Sequence, residues 1–114
     1  FPVAGDPSVR LIGAVADHDG TDAALRLTGA VLAAVWARDL DIADPATLGT
    51  LLTECGLDPG RLAQSQTDAA KALADAHTRA AIDAGVFGAP SYVIDGEIFW
   101  GQDRLDFVER RLLA

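Results

Sequence analysis

The Asp95-Gly96 pair, set between Ser91-Tyr92-Val93-Ile94 and Glu97-Ile98-Phe99-Trp100, constrains this chain more than any other feature. Two β-branched and aromatic runs joined by Asp-Gly are the strongest local signal for a hairpin, because the tight turn needs residues that tolerate positive φ. No other stretch reads as a strand. A two-stranded hairpin alone is marginal in water. It needs a third strand, and the absence of one predicts that part of the fold lies outside this sequence.

Everything before the hairpin carries helical spacing. Asp6-Pro7 reads as an N-cap followed by a first-turn proline, and Val9, Leu11, Ile12 and Val15 give an apolar face ending near His18-Asp19-Gly20. Gly20 fits a left-handed C-terminal cap. A second helix starts at Thr21 or Asp22 and aligns Leu25, Leu27, Val31, Leu32, Val35 and Trp36 on a broad apolar face. Asp44-Pro45 starts a third, with Leu48, Leu51 and Leu52 apolar and Gly56 closing it. After the turn Leu57-Asp58-Pro59-Gly60 come a short helix around Arg61 to Gln64 and an alanine-rich helix from about Thr67 to Ala84, capped by Gly85. Past the hairpin, Gly101-Gln102-Asp103 opens a last helix with Leu105, Phe107, Val108, Leu112 and Leu113 apolar. Two parts follow: a helical domain over 1–84, and a loop–hairpin–helix piece over 85–114.

With 114 residues and a formal net charge of −8, the chain makes one domain or part of one. It lacks the basic footprint of a binder of nucleic acid or of an anionic membrane. One cysteine makes neither a disulfide framework nor a Cys-x-x-Cys pair. The longest nearly apolar stretch, Gly29 to Ala37, is far short of the roughly 20 residues a membrane helix needs. The sequence contains no Met and opens on Phe1, which predicts a processed, cut or partial chain. With one cysteine and no signal-like segment, the cytoplasm is the default compartment.

The run from Gly85 to Leu105 carries Gly88-Ala89-Pro90-Ser91, Asp95-Gly96 and Phe99-Trp100-Gly101-Gln102-Asp103-Arg104. It resembles the ending of the 2-hydroxychromene-2-carboxylate isomerases and kappa-class glutathione transferases. These belong to the thioredoxin-like superfamily that also holds disulfide oxidoreductases of the DsbA type. The resemblance implies an α/β thioredoxin-like fold with an inserted all-helical domain, the N-terminal βαβ unit being absent from this chain. In that fold the chain returns through a cis-proline loop, a hairpin and a final helix, and Phe1-Pro2 resembles the Phe-Pro that introduces the insertion. Such families carry their reactive serine, or Cys-x-x-Cys, in the first βαβ unit, so the resemblance places the catalytic residues upstream of Phe1. Where relatives have a polar residue, often Asn, shortly after Phe-Pro, this chain has Val3-Ala4-Gly5.

Taken alone, Ala89-Pro90 is an ordinary trans proline before a strand. The resemblance makes it a cis proline whose preceding backbone pairs with an extended peptide, such as the cysteinyl part of glutathione. Gln102 and Asp103 sit where a helix begins. The helix N-terminus suits a carboxylate, and the Asp103 carboxylate suits the ammonium of a γ-glutamyl group. The plainer reading, that Asp103 caps the helix, is compatible. Phe99 and Trp100 fall on opposite faces of the strand, and core packing is expected for them. Trp100 and Trp36 are also the candidates to border a hydrophobic substrate pocket, core packing again being the plainer reading for Trp36. Cys55 is expected to be a buried small hydrophobe, and His18 and His77 solvated side chains.

The function implied by resemblance is that of a glutathione-dependent isomerase or transferase, with glutathione as cofactor and an aromatic or enone-like small molecule as substrate. Homodimers are usual among kappa-type relatives. A DsbA-type thiol–disulfide oxidoreductase, and a truncated non-catalytic binding or structural subunit, are the alternatives.

Overall fold

A computed structural model describes residues 3–114, so the reading of Phe1-Pro2 lies outside the described residues. The helices are α1 (Asp6–Asp19), α2 (Thr21–Trp36), α3 (Pro45–Glu54), α4 (Arg61–Ser65) and α5 (Asp68–Asp83). Then come strands β1 (Ser91–Ile94) and β2 (Glu97–Trp100), a 3₁₀ turn over Gln102–Arg104, and α6 (Leu105–Leu113). The chain divides into two compact units, Phe1–Asp75 and Ala76–Ala114, the boundary in sequence falling within α5. No helix among the described residues is long and apolar enough to cross a membrane.

The first unit is built on Leu11, Val15, Leu27, Val31, Ala34, Ile42, Leu48, Leu51 and Leu52, all buried in one cluster. α1 packs against α2 and α4, and α2 also touches α3. Local chemistry starts and stops these helices. Asp44 accepts a hydrogen bond from the Ala46 N–H at 3.0 Å, with Pro45 in the first turn of α3. At α1 the cap is Gly5, and Asp6 is already the first helical residue. Gly20 ends α1 and starts α2 at once, at φ 92 and ψ 175. That is not the left-handed cap geometry expected, but a fully extended positive-φ conformation that only glycine holds cheaply. Next to it, Arg61 clamps Asp19 with two hydrogen bonds, at 2.8 and 2.9 Å, and joins α1 to α4. The Arg61 hydrogen bond is the main reason the Asp19 carboxyl sits below its ordinary range.

The expected faces of α1 and α2 need correction. α2 buries Ala23, Ala24, Leu27, Val31 and Ala34, whereas Leu25, Leu32 and Trp36 are exposed. Three alanines join Leu27 and Val31 on the buried face in place of larger side chains, because short residues let backbones approach. Val9 is likewise exposed, and Ser8 is buried in its place with its hydroxyl donated to the Gly5 carbonyl. Trp36 is 68% exposed, so core packing does not describe it.

In the second unit β1 and β2 pair antiparallel, with Ser91 opposite Trp100, Tyr92 opposite Phe99, Val93 opposite Ile98 and Ile94 opposite Glu97. The turn puts Asp95 at φ 50 and Gly96 at φ 81, the two positive values a tight two-residue hairpin turn needs. These are the two strands of the sheet among the described residues. α6 packs on both strands and buries Val108, while Arg111 reaches Asp95 at 2.9 Å and Glu97 at 3.5 Å. Leu105, Phe107, Leu112 and Leu113 are exposed, so the apolar face expected of this helix is buried at one residue. The helix also begins later than expected, at Leu105, because Gln102, Asp103 and Arg104 form a separate 3₁₀ turn.

Candidate functional site

The hairpin register decides what can meet at its open end. Ser91 pairs with Trp100, so the residues just before β1 and just after β2 become neighbours. The Gly101 N–H donates to the Pro90 carbonyl at 2.8 Å and closes that end. Around this closure lies a cleft of about 550 Å³ lined by Ala89, Pro90, Trp100, Gly101, Gln102, Asp103 and Arg104. The Ala89–Pro90 peptide bond is cis.

Gly101 is needed here for two reasons. Its φ of 98 is one that L side chains rarely adopt. A Cβ would also stand 2.5 Å from Asp103 Oδ1, so the carboxylate folds back over a bare backbone. Asp103 therefore does not act as a helix cap, and the turn it belongs to has no side-chain cap at all. Arg104 follows directly, its guanidinium 5.6 Å from the centre of the Phe107 ring, a distance at which a cation is held over an aromatic face. Among the described residues neither Asp103 nor Arg104 makes an ion pair. The cleft thus presents one unpaired negative and one unpaired positive group on adjacent residues, beside an amide and an accessible stretch of backbone.

Trp100 is 52% exposed and borders the cleft. Core packing, the plainer expectation, does not hold for it either. Its indole lies against the backbone of Gly88 and tilts at 51° to the Phe87 ring, 5.3 Å away. Phe99, its neighbour, is partly buried. The Ser91 hydroxyl donates to the Gly88 carbonyl and pins the loop on which the indole rests.

Of the residues singled out in the sequence, Ala89, Pro90, Trp100, Gln102 and Asp103 come together in this cleft. Trp36 is not among its lining residues and belongs to the first unit. Arg104 and Gly101 were not singled out. A charged side chain directly after Asp103 was the available signal for Arg104, a solvated surface charge being its plainer reading. Cys55 is half-buried against the first unit's core, its thiol 3.9 Å from the Arg26 carbonyl, and so less enclosed than expected. His18 and His77 are exposed.

Known proteins give a consistent picture. The DsbA-like thioredoxin domain family matches residues 8–113. A 2-hydroxychromene-2-carboxylate isomerase from Sphingobium xenophagum is 36% identical over 100 residues, which is 82% of this chain and 49% of that protein. The chain therefore spans about half the length of the curated relative it matches.

Proposed function

This chain belongs to the DsbA-like thioredoxin domain family, and from that premise we propose that it is the glutathione-holding part of an isomerase or transferase. The observation that carries the reading is the unpaired Asp103–Arg104 couple in the cleft beside Ala89 and Pro90. A γ-glutamyl end is a zwitterion, an ammonium and a carboxylate on one carbon. Asp103 would hold the ammonium, and Arg104 with the Gln102 amide the carboxylate. The exposed backbone at Ala89 would take the extended cysteinyl segment as a strand takes an edge partner. A cleft of about 550 Å³ falls in the size range of small-molecule sites.

When bound, glutathione supplies a thiol nucleophile. This chain's own share is to bind and orient it, and well-aimed orientation can supply several kcal/mol of a barrier. Trp100 would border the substrate side, which suits a flat aromatic or enone-like molecule. The similarity to a protein named 2-hydroxychromene-2-carboxylate isomerase favours isomerisation over group transfer. It also favours this reading over a disulfide oxidoreductase.

Calorimetric titration with reduced glutathione, and with cysteinylglycine as a control lacking the γ-glutamyl group, tests the reading. Asp103→Asn and Arg104→Gln should each weaken glutathione about tenfold or more, the usual cost of losing a charge-assisted hydrogen bond, and leave cysteinylglycine unchanged. Absence of glutathione binding, or equal binding by Asp103→Asn, overturns it. Isomerisation of a 2-hydroxychromene-2-carboxylate, followed by absorbance with and without glutathione, tests the activity.

A further inference from the structure

The loop before the cis peptide carries a glycine whose bareness the fold uses. Gly88 lies in ordinary negative-φ territory, so its backbone conformation does not require glycine. Space does. A Cβ at this position would stand 2.5 Å from Trp100 Nε1 and 3.2 Å from both Cδ1 and Cε2. Ordinary contact begins at 3.4 Å, so the indole or the loop would have to give by about an ångström.

The loop is the less free of the two. The Ser91 hydroxyl holds the Gly88 carbonyl, and two residues on, the Pro90 carbonyl is held by the Gly101 N–H. Trp100 is half-exposed and borders open volume. A methyl group at 88 therefore pushes the indole and leaves the backbone in place. We infer that Gly88 is a positioning residue: by staying bare it lets the Nε1 edge of the Trp100 indole close against the loop, and so fixes the aromatic wall of the cleft. Phe87, tilted against the same ring, holds it from a second direction. The structural part of this inference stands on geometry alone, and its consequence for ligands rests on the glutathione reading above.

The consequence is selective. A shifted wall leaves the charges of Asp103 and Arg104 where they are, and moves the surface against which an aromatic group would rest. The protein has two tryptophans, so in a Trp36→Phe background Trp100 is the reporter. In that background Gly88→Ala should change the Trp100 emission maximum and the near-UV circular dichroism without loss of far-UV helicity. Two probes then separate wall from pocket: glutathione, and S-(2,4-dinitrophenyl)glutathione, which adds an aromatic ring at sulfur. Gly88→Ala should weaken the aryl conjugate about tenfold, the most that one aromatic contact is worth, and leave glutathione nearly unchanged.

Replacing Trp100 by Phe removes the indole edge that meets position 88. Adding Gly88→Ala to Trp100→Phe should therefore cost nothing further for either probe, which keeps the inference testable even where Gly88→Ala alone folds poorly. Equal losses for both probes, or the same loss with Phe at 100 as with Trp, overturn it. Where no variant binds either probe, the glutathione reading fails and the optical result decides the positioning role: an emission maximum unmoved by Gly88→Ala refutes it, and a moved one supports it.

Discussion

Leu27 and Leu32 fall within one expected apolar face of α2, yet the first is 0% exposed and the second 52%. Truncating each to alanine turns that difference into a measurement. Leu27 sits in the cluster formed with Leu11, Val15, Val31, Leu48, Leu51 and Leu52. Its removal loses the transfer free energy of the deleted carbons and leaves a cavity that the surrounding helices fill incompletely, so Leu27→Ala should cost about 3 kcal/mol, within the roughly 2–5 kcal/mol known for buried leucines. Leu32→Ala deletes the same atoms from a site already half in water. It should cost below about 1 kcal/mol, with a few tenths returned by the higher helix propensity of alanine.

Urea titrations followed by far-UV circular dichroism would read both. Leu27→Ala should lower the midpoint strongly at unchanged slope, and by about 4–8 °C of melting temperature per kcal/mol in a thermal scan. Leu32→Ala should overlay the parent within a few degrees. Equal costs for the two would refute the burial of the alanine-lined face, and with it the packing of α2 described above.

Three further outcomes follow from other contacts. Because Arg61 lowers the Asp19 carboxyl below its ordinary value of 3.8, the unfolded chain takes up this proton first as acid is added. The pair's stabilisation is therefore full above that value and lost as pH falls below it; melts from pH 7 to pH 3 should show Asp19→Asn less stable near neutrality and with a shallower acid loss. Asp44→Ala removes the acceptor for the Ala46 N–H and should cost about 1 kcal/mol in a urea titration, whereas Asp44→Ser should recover most of it. Cys55→Ala should leave the glutathione titration unchanged, since the thiol sits against the first unit's core and not in the cleft; a lost response would place thiol chemistry in the wrong unit.

What could be read from the residues divides by how many parts of the chain must agree. The hairpin was legible because Asp95 and Gly96 settle it locally: two positive φ values fix the turn, and the turn fixes the register through to Ser91 and Trp100. Once that register is fixed, Pro90 and Gly101 are neighbours with no further information, which is why Ala89, Pro90, Trp100, Gln102 and Asp103 meet in one cleft. The start of α3 at Asp44-Pro45 was legible for the same reason. The core was less so. Which face of α2 is buried depends on α1 and α3 together, and close approach there selects Ala23, Ala24 and Ala34 over the larger Leu25, Leu32 and Trp36. A scale that ranks side chains by transfer free energy assigns those leucines inward, because it weighs each residue's solvation and not the space left between backbones. The exposure of Trp36 was hidden on the same ground: its placement needed the packing of a whole unit, whereas that of Trp100 needed a turn and four pairs of a ladder.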